Sequence, residues 1–373
     1  MIADRLRGDA YARALRAAVR PGCVVLDIGA GTGIFSMLAC RFGARRVFAV
    51  EPNDSIEVAK TVAVANGLAD RIEFFQALST EVTLPERADV VVSDLRGVLP
   101  MFQQNIPSIA DARRRLLAPG GVLIPQRDAV WLCLVEAADL YGRHMEPSDE
   151  AAYGFDMSGA REVVANTWRK ARVTPEQLLL PPRLAATLDY TTIEGANVSA
   201  EVNWTAERAG TAHGVVAWFD AVLGDGVTMS NAPGNPELIY GNAFFPLQRP
   251  VALAAGDSVS IRLHANLVCG DYVWRWETRV LGQGDQTRVK ADFRQTTFKG
   301  MPLPQERLRR LSSEYTPELG ADGEVDRLIL SLMDGTRPLT EIARQLSEQY
   351  PDGFDTADGF LERVRELSLR YSR

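Results

Sequence analysis

The residues best suited to chemistry lie in "VVLDIGAGTGIFSMLACRFGARRVFAVE", residues 24–51. An apolar run ends in Asp27, glycines stand at Gly29, Gly31 and Gly33, and a second apolar run closes on Glu51, followed by Pro52. Glycines let a backbone turn tightly and approach a ligand, and a helix after such a turn begins with unpaired amides. Glu51, at the tip of its strand, is placed to accept hydrogen bonds from two ribose hydroxyls. NAD enzymes share that acid, so the turn must discriminate. Its spacing is G-x-G-x-G preceded by Asp27, not G-x-G-x-x-G. A carboxylate beside the turn disfavours a pyrophosphate and suits a ligand carrying an ammonium and a sulfonium. S-adenosylmethionine carries both; a nicotinamide dinucleotide and a purely structural turn are the weaker readings.

Positioning these groups takes alternating strands and helices, and residues 1–128 supply them: "YARALRAAV", "CVVLDIG", "FSMLACRFG", "RVFAVE", "SIEVAKTVAVANG", "IEFFQA", "ADVVVSDL", "IADARRRLLAPGG" and "VLIPQ". That alternation predicts an α/β domain, a parallel sheet covered on both faces. From 129 to 298 period-two stretches such as "GVVAWFDAVL", "SVSIRLHANL" and "DYVWRWETRVL" predict an antiparallel barrel or sandwich. From 299 to 373 apolar residues recur at three- and four-residue intervals in helical blocks punctuated by Gly335, Pro338 and Pro351.

Composition narrows the function classes. A formal charge of −7 argues against a nucleic-acid partner, which needs a basic field. "RRR" at 113–115 and "RLRR" at 307–310 fall in helical patterns and read as solvated faces. Apolar runs are too short to span a bilayer and Met1 leads into charged residues, so neither a membrane nor a signal segment is expected and a cytoplasmic protein is. Cys23, Cys40, Cys133 and Cys269 are scattered and read as core thiols; with His144, His213 and His264 also unpaired, no metal site is expected.

Beyond the glycine turn, residues 1–298 resemble the protein arginine methyltransferase family through "VLDIGAGTGIFSMLACRFGARRVFAVE", "VVVSDLRG", "RRRLLAPGGVLIPQRDAVW" and "YGFDMS" at 153–158. The resemblance implies a Rossmann-like S-adenosylmethionine-binding domain followed by a β-barrel, with S-adenosylhomocysteine as product. It implies that Arg7 in "MIADRLRGDAY" meets the cofactor carboxylate, and that Asp27, Gly29 and Glu51 form the turn and ribose contacts. Leu78, Ser79 and Thr80 fall where the family touches adenine. It also implies a homodimer joined through an arm, here "RKARVTPEQLLLPPR" at 169–183. "YGFDMS" itself reads either as a substrate-side element or as domain-joint packing, with Tyr153 and Phe155 in core and Asp156 capping a helix.

The chain departs from the family where the acceptor would sit. The loop "SDLRGVLPMFQQN" places Asp94 at the first of the family's two glutamates and Gln103 at the second, and adds Arg96. The threonine-histidine-tryptophan loop is replaced by Leu238, Ile239 and Tyr240, and the family's aromatic helix over the cofactor has no counterpart before Arg7. A guanidinium needs opposing charge, and one carboxylate with one amide supplies half of it. Methyl transfer asks for in-line placement of a nucleophile, with a base if it carries a proton. Asp94 can orient or deprotonate an amine or hydroxyl; Arg96 can hold a substrate carboxylate, pair with Asp94 or face solvent; Gln103 and Tyr240 are neutral hydrogen-bonding groups.

The C-terminal stretch "DRLILSLMDGTRPLTEIARQLSEQYPD" resembles the PqqD-like winged-helix family, which presents leader segments of ribosomally made peptides. The resulting expectation is a methyltransferase acting on nitrogen or oxygen of a peptide or protein. A small-molecule methyltransferase and an inactive cofactor-binding scaffold are the rivals.

Overall fold

The computed structural model describes residues 3–145, 154–284, 288–302, 304–350 and 357–372. The chain forms two compact units, Met1–Pro302 and Leu303–Arg373.

The first unit opens with α1 (Arg5–Ala18), β1 (Val24–Ile28), α2 (Ile34–Arg41), β2 (Arg46–Val50), α3 (Ser55–Ala65), β3 (Ile72–Phe75), β4 (Ala88–Ser93), α4 (Asn105–Arg115) and β5 (Leu117–Ile124). The strands form a parallel sheet in the order β3-β2-β1-β4-β5. All five residues of β1 are buried, as a strand covered on both faces requires. The order reverses between β1 and β4, which opens a crevice at the carboxyl ends of the strands. Asp4 caps α1 by accepting from the Arg7 amide at 3.0 Å. Arg7, Ala10, Tyr11, Ala14 and Leu15 are its buried face, at helical spacing.

The chain continues through β6 (Arg127–Val135), α5 (Ala138–Met145), α6 (Ser158–Ala165), β7 (Arg169–Ala171), β8 (Arg183–Asp189), β9 (Val198–Thr205), β10 (Gly210–Gly224), β11 (Val227–Ser230), β12 (Asn242–Leu253), β13 (Ser258–Val268), β14 (Asp271–Leu281) and β15 (Val289–Thr296). These make two antiparallel sheets, β7-β12-β10-β6-β8 with β11 on β10, and β15-β14-β13-β9. Inward residues alternate along β14: Tyr272, Trp274, Trp276 and Val280 are buried, and Trp276 packs edge-on against Phe245 at 5.3 Å.

Three expectations change here. The stretch 169–183 is not a projecting arm: β7 pairs with β12, and Val173, Leu179 and Leu180 bury against the chain's own sheets. In "YGFDMS", Phe155 is 73% exposed rather than in core, Asp156 accepts from the Ser158 amide at the start of α6, and Tyr153 lies outside the described residues. Cys40 and Cys133 are buried and Cys23 is half-buried, but Cys269 is exposed in the turn between β13 and β14. Among the described residues no cluster of potential metal ligands occurs, and no helix is long and apolar enough to cross a membrane.

The second unit holds α7 (Gln305–Arg310), α8 (Ala321–Leu332), α9 (Leu339–Gln349) and α10 (Ala357–Tyr371). Ile329, Ile342, Leu346, Phe360, Val364 and Leu367 form its own core. It is helical as expected. Among its described residues there is no strand, so the wing of a winged helix has no counterpart there.

Candidate functional site

A cavity of about 790 Å³ opens at the carboxyl ends of β1, β2 and β4, walled by Arg7, Gly31, Glu51, Ser79, Asp94 and Arg96, among others. A second cavity, of about 540 Å³, lies where β1 and β4 begin, beside Cys23 and Asp89. Only the first meets the glycine turn and the switch point, the two features that hold a nucleoside on such a sheet.

The turn after β1 runs through Gly29 and Gly31 with φ of +72° and +54°. A Cβ on Gly29 would stand 2.3 Å from Leu95 Cδ2, whereas one on Gly31 would meet nothing closer than 4.0 Å, leaving open space on the cavity wall. Glu51 is fixed on the turn: its Oε2 accepts from the Gly31 amide at 3.0 Å, and its Oε1 accepts from the amide and side chain of Asn53 at 3.0 and 2.8 Å. Beneath the turn, buried Asp27 accepts from Ser36 Oγ at 2.6 Å through Oδ2, while Oδ1 has no partner among the described residues. Burial pushes the Asp27 carboxyl up to about 6, opposed by its bonds to Ser36. An orphaned carboxylate oxygen under a ligand-binding turn is costly unless a positive ligand compensates it.

At the β4 side the side chains interlock. Arg7 Nε donates to Asp94 Oδ2 and to the Tyr240 hydroxyl, the latter at 3.1 Å; Tyr240 in turn donates to Asp94 Oδ2 at 2.6 Å. Arg96 grips Asp128 with both prongs, Nε to Oδ2 at 2.8 Å and Nη2 to Oδ1 at 3.0 Å. Its Nη1 donates to Asp94 Oδ1 at 3.1 Å and to the Tyr11 hydroxyl at 2.6 Å. Tyr190 donates to Asp128 Oδ2 at 2.6 Å, and the ring of Phe219 lies 5.4 Å from the Arg96 guanidinium carbon. Burial works against the charges of Arg7 and Arg96, but the carboxylates outweigh it and hold both guanidinium groups above their ordinary range. Burial likewise pushes the Tyr11, Tyr190 and Tyr240 hydroxyls up, so they stay protonated.

Different elements bring these groups together. Arg7 and Tyr11 are one turn apart on α1, Asp94 and Arg96 follow β4, Asp128 opens β6, Tyr190 follows β8, Phe219 belongs to β10, and Tyr240 precedes β12. Arg7 makes no other hydrogen bond from its side chain among the described residues, and its guanidinium lies over Phe35 of the cavity wall and over the buried ring of Tyr11. Its two Nη groups are therefore the donors left for a ligand carboxylate.

Of the residues singled out in the sequence, Arg7, Gly29, Gly31, Glu51, Pro52, Leu78, Ser79, Asp94, Arg96 and Gln103 line the cavity. Gly33 begins α2, where a Cβ would stand 2.9 Å from Ala59 Cβ, so its role is helix packing. Thr80 offers its carbonyl to Arg115 rather than a side chain to the cavity. A free Arg96 for a substrate carboxylate is not what the structure holds, because all three of its nitrogens are bonded inside the protein. Tyr240 is likewise spent on Asp94 and Arg7. Gln103 is exposed at the cavity wall with φ of +41°. Sequence reading missed Asp128, whose signal was an acid opening a strand that is otherwise largely apolar. In "RRR" the solvated-face reading fails for Arg113, which is largely withdrawn from solvent and donates to the Tyr190 carbonyl; Arg115 is exposed as read, and it also donates to the carbonyls of Ser79, Thr80 and Val82, pinning the loop after β3.

The parallel sheet, the acid-flanked turn, Glu51 on the cavity wall beyond β2 and the orphaned Asp27 oxygen fit S-adenosylmethionine, and the class they define is an S-adenosylmethionine-dependent methyltransferase. Residues 126–277 match the arginine methyltransferase oligomerization subdomain, and residues 11–132 match the ribosomal protein L11 methyltransferase family. The chain is 31% identical over 278 residues to the arginine N(omega)-methyltransferase of Streptomyces achromogenes subsp. streptozoticus, covering 70% of this chain and 74% of that one. It is 30% identical over 264 residues to protein arginine N-methyltransferase 6 of Xenopus tropicalis, covering 67% and 78%. It spans only about half of several plant relatives, such as 52% of the probable protein arginine N-methyltransferase 6 of Arabidopsis thaliana. Among solved structures, a Trypanosoma brucei PRMT1 enzyme-prozyme heterotetrameric complex with AdoHcy shares the fold, with a TM-score of 0.70 at 21% identity over 79% of this chain and 95% of that one. This chain therefore belongs to the arginine methyltransferase family.

Proposed function

We propose that the chain methylates a nitrogen or oxygen nucleophile of a peptide or protein, with the acceptor entering at the β4 side of the cavity and the nucleoside lying at the β2 and β3 side. The strand order supports this polarity, since Glu51 and Ser79 stand to one side of the glycine turn and Asp94 to the other. S-adenosylmethionine supplies a methyl group on a positively charged sulfur. Arg7 Nη groups would hold its carboxylate, Glu51 would face its ribose, Leu78 would cover the base, and Asp27, buried beneath the turn and not on the cavity wall, would act on its positive charge from below.

The observation that carries the acceptor assignment is the state of Asp94. Three donors already bond it, and a carboxylate has about four acceptor positions, so one remains to orient an acceptor N–H or O–H. The helical second unit, with a core of its own, supports a role in holding a peptide; lacking a strand edge among its described residues, it would use a groove between helices. Homodimer formation is part of this reading and is supported by the match to an oligomerization subdomain. The crowding of Asp94 also favours a second reading, a cofactor-binding scaffold without turnover.

Titration calorimetry with S-adenosylhomocysteine tests the cofactor site, and single-turnover transfer from labelled cofactor into peptide mixtures tests the chemistry. Label incorporated by the native chain and lost in Asp94→Ala supports an enzyme. Tight binding with no incorporation into peptides or small acceptors supports the scaffold, and absence of binding overturns both.

A further inference from the structure

We propose that Asp94 and Asp128 form a guanidinium-binding site that the chain fills with its own Arg96, and that Arg96 thereby determines specificity by excluding cationic acceptors from the β4 end of the cavity. The inference rests on the acceptor polarity proposed above and adds the charge class of the acceptor.

The geometry is that of a bound guanidinium ligand. Two parallel hydrogen bonds join Arg96 to Asp128, a third joins it to Asp94, a phenol accepts a fourth, and an aromatic face lies against the carbon. This is the fork-to-fork recognition by which carboxylates select guanidinium over ammonium. The side chain is 1% exposed, yet Arg96 forms part of the cavity wall, so the occupied slot adjoins the acceptor space. The charges in the cluster cancel: Arg7 and Arg96 are two cations, Asp94 and Asp128 two anions, and the tyrosines are neutral. A further cation arriving there finds no net negative charge to compensate it and, in place of a two-carboxylate slot, a single acceptor position on Asp94. An uncharged amine, amide, imidazole or hydroxyl can use that one position and needs no counter-charge.

The test uses Arg96→Ala in the full chain with ethylguanidinium as probe and ethylurea, of nearly the same shape but uncharged, and ethylammonium as controls. Arg96→Ala should melt lower than the native chain, and ethylguanidinium should raise its melting temperature, by about 2 °C at ten times the dissociation constant for a unit of this size. Ethylurea and ethylammonium should not raise it, and the native chain should respond to none of the three. Equal rescue by ethylurea, or no rescue by ethylguanidinium, overturns the site. A measurement on the native chain guards against a variant that fails to fold. Calorimetric binding of ethylguanidinium to the native chain in the same range overturns the exclusion, and its absence supports it. None of these readouts involves methyl transfer, so failure of the proposed function and failure of the guanidinium site are separately visible.

Discussion

Replacing Asp128 by Asn tests whether the buried cluster is a coupled unit. The substitution keeps shape but removes the charge that Arg96 grips at 2.8 and 3.0 Å and that Tyr190 donates to at 2.6 Å. Arg96 then keeps only Asp94, which it shares with Arg7. Breaking one side of a buried ion pair costs about 3–5 kcal/mol, because the other charge stays buried and uncompensated. With an unfolding entropy of about 2.1 cal/mol/K per residue over the 302 residues of the first unit, that cost lowers the melting temperature by about 5–8 °C. Arg96→Met should cost a similar amount for the mirror reason. The double variant should cost clearly less than the sum, with a coupling of about 2 kcal/mol or more, because it leaves no buried charge without its partner in the Arg96–Asp128 pair. All six tryptophans lie in the first unit, so fluorescence in urea follows its unfolding without contribution from the second. Strict additivity, or a cost below about 1 kcal/mol for Asp128→Asn, refutes the coupled cluster.

Glu51→Gln should weaken S-adenosylhomocysteine binding by about 10- to 100-fold, the loss expected for charge-assisted ribose bonds, as read by calorimetry. Asp27 should make the preference for S-adenosylmethionine over its neutral-sulfur product grow as pH rises through about 6, where the carboxyl ionises, and Asp27→Asn should flatten that dependence. The same group sets a stability trend: its folded value of about 6 lies above the ordinary 3.8, so its contribution is full below 3.8 and is lost as pH rises through 6. That loss is about 3 kcal/mol, visible as the difference between native and Asp27→Asn urea midpoints across pH 4–7. Gly29→Ala, forced against Leu95 at a positive φ, should destabilise by about 1–3 kcal/mol and weaken cofactor binding, whereas Gly67→Ala, also at positive φ but with nothing within 4 Å, should affect stability alone. Arg115→Ala should loosen the loop at Ser79 and weaken nucleoside binding several-fold without touching the cavity wall, again by calorimetry.

What the sequence made legible was local. The strand, turn, helix and strand of residues 24–51 carry their signals within thirty residues, so Gly29, Gly31 and Glu51 are assignable from residue types and spacing alone. The antiparallel sheets are readable because period two survives in stretches such as β14. Asp94 is legible as a candidate but its state is not, because its partners stand at positions 7, 96 and 240, and those of Arg96 at 11 and 128. No window of sequence contains such a cluster. The stretch "QLLLPPR" misleads for a related reason: an exposed apolar arm and a buried return segment have the same local pattern, and only the sheets receiving Leu179 and Leu180 decide between them.

The two sides of the glycine turn carry different net charge, and that difference links the fold to acceptor choice. On the β1 and β2 side, Asp27 beneath the turn and Glu51 on the cavity wall are carboxylates without a cationic side chain bonded to them among the described residues, an excess of negative charge that a cofactor bringing one net positive charge partly offsets. On the β4 side, Arg7, Arg96, Asp94 and Asp128 sum to zero before any ligand arrives. A cationic acceptor would therefore approach a positive sulfur with no counter-charge of its own, and inside a low-dielectric cavity that repulsion is large. A neutral nucleophile meets no such penalty. The substitution that matters for acceptor choice is thus Arg96 within "SDLRG", since it closes the charge balance of the β4 side from within the chain.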